Sequence, residues 1–291
     1  MIIFDTPESM RDWSLTQRAA GRSVGFVPTM GALHEGHGSL MKIAVERDDI
    51  TVLSIFVNPT QFAPHEDLDQ YPRTWETDLA MAQEIGIDAI YAPKPATMYP
   101  EGYSTYLEVE GLSKGLCSRT RPHFFRGVAT VVTKLFCAVM PHNAYFGQKD
   151  AQQCAIITRM ARDLDLGVNI VECPLIREDD GLAMSSRNRY LNAAEREQGL
   201  CLSQSLFTAL ELLQSGERNV DAIINHVQNG MARVHIDYIE LVDALTMEPV
   251  TTIDKPIVLA VAAKIGETRL IDNIKFDPAK VPAATLTTGV V

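Results

Sequence analysis

The stretch Val24-Gly25-Phe26-Val27-Pro28-Thr29-Met30-Gly31-Ala32-Leu33-His34-Glu35-Gly36-His37 decides the class of fold. Its first four residues form an apolar run, as expected of a strand covered on both faces. Pro28 has no N–H for a sheet ladder, so the strand is expected to end there. Gly31 and Gly36 permit positive φ and close approach of backbone to a ligand. A helix is expected over Gly38 to Glu46, with the two histidines at its start. Unpaired N–H groups and the positive end of the dipole make such a start an anion site. Two imidazoles three residues apart can face one way and donate to phosphate oxygens as charge grows during nucleotidyl transfer. Paired histidines also suit zinc, but the nearest third ligand is Glu35 or distant His65, with no metal spacing.

Outward from this turn the same rhythm repeats. Ile50 to Val57 reads as a strand, Thr74 to Ile85 as a helix capped by Thr74 and stopped by Gly86, and Ala89 to Ala92 as a strand. Gly127 to Val139 reads as a helix, Ala144 to Phe146 as a strand, Ala151 to Leu164 as a helix and Val168 to Glu172 as a strand. This alternation implies an α/β fold, a parallel sheet with helices on both faces and ligands at the carboxyl ends of the strands. Prolines and glycines break the rhythm between Pro93 and Arg126, a lid or a solvated connection. Beyond Ile176 come helices over Asn192 to Gln214 and Val220 to Val234, then strand-like runs at Tyr238 to Val242, Ile257 to Ala262 and Arg269 to Ile274. That order suggests a smaller C-terminal α+β domain, residues 177–291, after a first domain of residues 1–176. The tail after Phe276 is expected to fray.

Three further turns carry chemistry. Asn58-Pro59-Thr60-Gln61-Phe62 follows the second strand, and the Gln61 amide can hold a hydroxyl or carboxylate of a small polar substrate. Gly147-Gln148-Lys149-Asp150-Ala151-Gln152-Gln153 follows another strand. Lys149 offers a point charge for phosphate, Asp150 a helix cap or a ligand for ribose or metal, and Gln153 faces the same cleft one turn on. Met184-Ser185-Ser186-Arg187-Asn188 gathers hydroxyls, backbone donors and a guanidinium, a set able to wrap a triphosphate or to form a simple cap.

Bulk properties fit a cytoplasmic enzyme. The net charge of −11 argues against a non-specific nucleic-acid or membrane surface. The five cysteines, Cys117, Cys137, Cys154, Cys173 and Cys201, form no C-x-x-C pair, so free thiols in a reducing, cytoplasmic compartment are expected. Neither a leader peptide nor a long apolar span is expected.

The His-x-Gly-His turn with the later Ala183-Met184-Ser185-Ser186-Arg187 loop resembles the class I synthetase and nucleotidylyltransferase superfamily. Met30 to His37, Asn58 to Phe62, Gly147 to Gln153, Asp180 to Asn188 and Arg269-Leu270-Ile271-Asp272-Asn273 together resemble the pantothenate synthetase (pantoate–β-alanine ligase) family over nearly the whole chain. The resemblance implies a Rossmann-type first domain and a cytoplasmic homodimer using ATP and Mg²⁺. It implies adenylation of pantoate, then attack by β-alanine on pantoyl adenylate to give pantothenate and AMP. It places ATP on Met30, Gly31, Ala32, Leu33, His34, Glu35, Gly36 and His37, on Gly147, Gln148, Lys149 and Asp150, on Ile176, and on Met184, Ser185, Ser186 and Arg187. It places pantoate on Gln61 and Gln153, and β-alanine on Gln61. His37, the family's named proton donor, His34, Lys149 and Arg187 are the implied catalytic groups. Gly38 stands where the family usually carries a larger apolar residue, so a looser helix start is expected. Other enzymes of the superfamily and a nucleotide-binding regulatory module are the competing readings, and the acidic charge disfavours a tRNA synthetase.

Overall fold

The computed structural model describes residues 1–64 and 66–280. The chain opens with β1 (Ile2–Phe4), α1 (Pro7–Ala19), β2 (Val24–Thr29), α2 (Glu35–Arg47) and β3 (Ile50–Ile55). Next come α3 (Trp75–Ile85), β4 (Ala89–Tyr91) and the short helices α4 (Pro95–Met98) and α5 (Cys117–Thr120). Then follow α6 (Phe124–Val139), β5 (Asn143–Gly147), α7 (Ala151–Asp163) and β6 (Asn169–Cys173). The last part holds α8 (Ala193–Gln214), α9 (Val220–Gly230), β7 (His235–Asp243), β8 (Ile257–Ile265) and β9 (Thr268–Phe276).

The first six strands pair in parallel in the order β1-β4-β3-β2-β5-β6. Neighbouring side chains on a strand leave opposite faces. Phe26 and Val52 accordingly pack with Phe136 and Val132 of α6, while Val27 and Leu53 pack with Met41 of α2 and Ala82 of α3. Both faces are thus covered, which is why these strands read as unbroken apolar runs. The chain steps outward from β2 to β3 and β4, then returns to place β5 on the other side of β2. That reversal opens a crevice at the carboxyl ends of β2 and β5.

The second sheet is antiparallel, β7-β8-β9. Leu259 and Val261 face α8 and α9 through Leu206 and Val227, while Val258, Ala260 and Ala262 join the core beneath α6. Asn192 and Glu195 form a reciprocal capping box that fixes the start of α8.

Several boundaries differ from expectation. β1 and α1 have no counterpart in the sequence reading, because Ile2-Ile3-Phe4 is too short to show a period. β2 continues through Pro28. The carbonyl of Val24 accepts from His142 on the β5 side, so the even-numbered residues of β2 face β5. Pairing with β5 ends at Phe26, so the missing N–H of Pro28 leaves no ladder bond unmade. α2 begins at Glu35, three residues early, and α9 stops at Gly230. Pro278–Lys280 forms a short 3-10 turn, and the rest of the expected fraying tail lies outside the described residues, as does His65.

Gly38 is buried in the second turn of α2, and a Cβ there would lie 3.6 Å from Ile85 Cδ1, an ordinary contact. Gly38→Ala is therefore expected to raise stability by about 0.5–1 kcal/mol. A lowered urea midpoint in that variant would contradict this.

Candidate active site

The turn after β2 is built from inside. Thr29 Oγ1 donates to Ser54 O at 2.7 Å and accepts the Gly31 N–H at 3.2 Å. Gly31 and Ala32 both take positive φ, +80° and +51°. The buried carboxylate of Asp78, in the first turn of α3, accepts the Ala32 and Leu33 N–H groups at 2.9 and 2.8 Å and the Thr74 hydroxyl at 2.9 Å. His34 then occupies the N-cap position of α2 with extended backbone, and its ring makes no capping bond. A Cβ on Gly36 would stand 2.9 Å from that ring, so only glycine leaves it room.

The His34 and His37 rings lie 4.0 Å apart between centroids. Both Nδ1 atoms are buried with no hydrogen-bond partner among the described residues. Burial, with the nearby positive charge of Lys149, lowers His34 to about 4. Burial, then His34, then Lys149 hold His37 well below the ordinary imidazole value. Both rings are neutral at pH 7. The unfolded chain regains the ordinary value of 6.5, so it binds protons that the folded chain refuses between about 4 and 6.5. Stability is therefore lost as the pH falls through that window. The melting temperature is expected to drop from pH 6.5 to 4.5, with a shallower slope in the double variant H34Q/H37Q. Equal slopes would contradict this.

After β3, the 3-10 turn Pro59–Gln61 is held by buried Asn58. Asn58 Oδ1 accepts from Tyr99 Oη at 2.8 Å, and its Nδ2 donates to Gln61 Oε1 at 3.1 Å and Gly127 O at 3.2 Å. This leaves Gln61 Nε2 beside Met30 Sδ at 3.1 Å. After β5, the 3-10 turn Gln148–Asp150 leads into α7. Both Gln152 and Gln153 line the cleft, and the Gln152 amide is engaged in donating to the carbonyls of Leu112 and Gly115, both at 2.9 Å.

The Met184–Arg187 loop closes the other side. Ser186 Oγ donates to Ala32 O at 3.0 Å, which docks the loop on the β2 turn. Ser185 Oγ accepts the Arg187 N–H at 3.3 Å. The Arg187 guanidinium makes two 2.9 Å bonds to Asp67, on the loop between β3 and α3. These elements enclose a cavity of about 280 Å³. A family model described as pantoate-beta-alanine ligase matches residues 2–275. This chain belongs to the pantoate–β-alanine ligase family.

Relatives named pantothenate synthetase agree with that placement in the ligase family. The one from Thermotoga neapolitana is 52% identical over 277 residues, covering 94% of this chain and 99% of its own. The one from Acetivibrio thermocellus is 50% identical over 278 residues, with the same two shares. A crystal structure of pantothenate synthetase from Thermus thermophilus superposes with a TM-score of 0.88 at 40% identity, covering 94% of this chain and 99% of that one. The pantoate-beta-alanine ligase from Francisella tularensis, complexed with beta-gamma ATP and beta-alanine, gives 0.76 at 31% identity, with 96% and 98% covered.

In this ligase-family cleft the wall carries Met30, His34, Gly36, His37, Gln61, Gly147, Lys149, Asp150, Gln153, Ile176 and Met184 to Arg187. Five expected nucleotide residues lie off that wall. Ala32 and Leu33 give their N–H groups inward to Asp78, so those amides are not open to phosphate. Gly31 borders a separate hollow behind the turn. Glu35 is exposed, and the Gln148 side chain donates to Asn273 at 3.3 Å. Nothing local in the sequence marks Asp78, Asp67 or Gly127 for the site. Each is an ordinary residue whose role comes from a partner far along the chain. Among the described residues no group of three or more His, Cys, Asp or Glu is placed to hold a metal. The ligase-family cleft does offer Asp150 beside Lys149. A Mg²⁺ carried on nucleotide phosphates requires only one or two carboxylates, so this donor set fits such an ion. Among the described residues no helix is long and apolar enough to cross a membrane.

Proposed function

We infer that this enzyme condenses pantoate with β-alanine to pantothenate at the expense of ATP, releasing AMP and pyrophosphate, and that it does so through pantoyl adenylate in this cleft. The family and its named relatives support the overall reaction. The observation that carries the site assignment is the pair of neutral imidazoles whose buried Nδ1 atoms have no partner among the described residues, on a wall shared with Lys149, Gln61, Gln153 and Ser185 to Arg187.

A pantoate carboxylate oxygen attacks the α-phosphorus of ATP, and the bond from that phosphorus to the pyrophosphate oxygen breaks. The attacking group has no proton to lose, and the leaving group gathers negative charge. The step therefore calls for donors aimed at phosphate oxygens rather than for an acid. His34, His37, Lys149 and Arg187 fill that role, with Arg187 exchanging Asp67 for phosphate. Met184, Ser185 and Ser186 close over the triphosphate, and Gly147 and Ile176 border the nucleotide. Asp150 would help to hold a Mg²⁺ carried on the phosphates, which would supply further charge neutralisation. Gln61 and Gln153 hold pantoate. Asn58 already occupies Gln61 Oε1, so Nε2, one of whose N–H groups meets Met30 Sδ, has its second N–H left to donate to pantoate. The β-alanine nitrogen, bordered by Gln61, then attacks the acyl carbon, the bond to AMP breaks, and the nitrogen loses a proton. Closure keeps the anhydride from water.

In the same reading, residues 1–176 hold nucleotide and pantoate, residues 177–291 supply the Met184–Arg187 loop, and the enzyme works as a cytoplasmic homodimer. Purified protein with ATP, Mg²⁺, pantoate and β-alanine should release AMP and pyrophosphate. Nucleotide turnover that persists unchanged without pantoate would overturn the substrate assignment.

A further inference from the structure

We propose that Asp272 and Asn273, neighbours on β9, are positioning residues that set the spacing between Lys149 and the Met184–Arg187 loop. This deepens the reading above and rests on it. Both residues are 3% exposed. Asn273 Nδ2 donates to the carbonyls of Gln148 and Lys149 at 3.0 and 2.9 Å, and its Oδ1 accepts from Gln148 Nε2 at 3.3 Å. A primary amide supplies two donors and an acceptor on one planar group, which this turn uses in full. Asp272 takes two bonds from the Arg177 guanidinium, 2.6 and 2.9 Å, and accepts the Asn273 N–H at 2.7 Å.

Arg177 belongs to the stem of the phosphate loop. The Met184 N–H donates to Ile176 O at 3.0 Å, the Glu178 N–H to Leu182 O at 2.8 Å, and Arg177 Nη1 to Gly181 O at 3.1 Å. One residue of β9 therefore grips the backbone that carries Lys149, and the next grips the stem that carries Ser185, Ser186 and Arg187. Adjacent residues of a strand are fixed relative to one another by the covalent chain and by their ladder to β8. Two phosphate-binding elements that are 35 or more positions apart in sequence are thereby referred to one rigid strand, as a preorganised charge site requires.

The test compares ATP with adenosine, which shares the base and sugar and lacks the phosphates. In Asn273→Ala, ATP affinity is expected to fall about tenfold, the loss of roughly one well-placed charged contact. Adenosine affinity is expected to stay within about twofold, since no phosphate is involved. Equal weakening of both ligands, or no weakening of ATP, overturns the proposal. Asn273→Asp, equal in size but with an oxygen facing the two carbonyls, is measured in the same way and decides the matter if the alanine variant does not fold. Lys149→Ala runs alongside. If it leaves ATP affinity unchanged, the phosphate role of Lys149 fails, an outcome separate from a failure of the Asn273 grip.

Discussion

His37→Ala is expected to lower the rate of pantoate-dependent pyrophosphate release by about 10²- to 10³-fold, the loss that follows removal of one preorganised donor to a developing oxyanion. The imidazole sits on the cleft wall in the first turn of α2, its centroid 4.0 Å from that of His34 at a 36° tilt, and burial first, then His34 and Lys149, hold it neutral. Its Nδ1 has no partner among the described residues, so the ring forms no hydrogen-bonded strut at that atom. Its removal is therefore expected to change stability by less than about 1 kcal/mol. Single-turnover measurement of pyrophosphate release, with a melting curve on the same sample, checks both halves. A variant that keeps the rate, or one whose melting transition vanishes, would mark this histidine as structural.

Gly127→Ala is expected to damage both stability and pantoate binding from outside the cleft wall. A Cβ at Gly127 would stand 2.5 Å from Thr60 O, 2.7 Å from Thr60 C and 2.9 Å from Gln61 Cα. These are backbone atoms, so no rotamer change relieves the clash, and α6 and the Pro59–Gln61 turn must separate. Overpacking of this kind costs about 1–3 kcal/mol. The separation also pulls Gly127 O away from Asn58 Nδ2, which orients the Gln61 amide. The KM for pantoate should therefore rise about tenfold or more, since a displacement near 1 Å in a positioning group carries losses of that order. The KM for ATP should change little, because Gln61 is assigned to pantoate and not to the phosphates. Denaturant midpoints and the two KM values decide it, and equal rises in both would contradict the placement of Gln61.

Much of this was legible in the residues themselves. The apolar runs at Val24 to Val27 and Ile50 to Val57 announced strands buried on two faces, and the glycine-flanked histidines announced the turn between β2 and α2. The order of the strands was not legible. Nothing local states that β5 returns to the other side of β2, yet that reversal makes the crevice. Pro28 misled because its missing N–H happens to face the side where pairing has already ended. Ala32 and Leu33 show the opposite case. Their amides look free for phosphate in the sequence, but a carboxylate 45 positions or more away, on Asp78, has taken them. The engagement of Arg187 by Asp67 shows only once the loop between β3 and α3 folds over it. Composition and spacing report what a side chain can do. They do not report which competing partner reaches it first.

The central claim is that a pantoate oxygen becomes bonded to the α-phosphorus of ATP in this cleft. Pantoate labelled with ¹⁸O in its carboxylate, turned over with ATP, Mg²⁺ and β-alanine, measures this by mass spectrometry of the nucleotide product. The prediction is AMP carrying one labelled oxygen and pyrophosphate carrying none. Unlabelled AMP, or label appearing in inorganic phosphate alongside ADP, would contradict it.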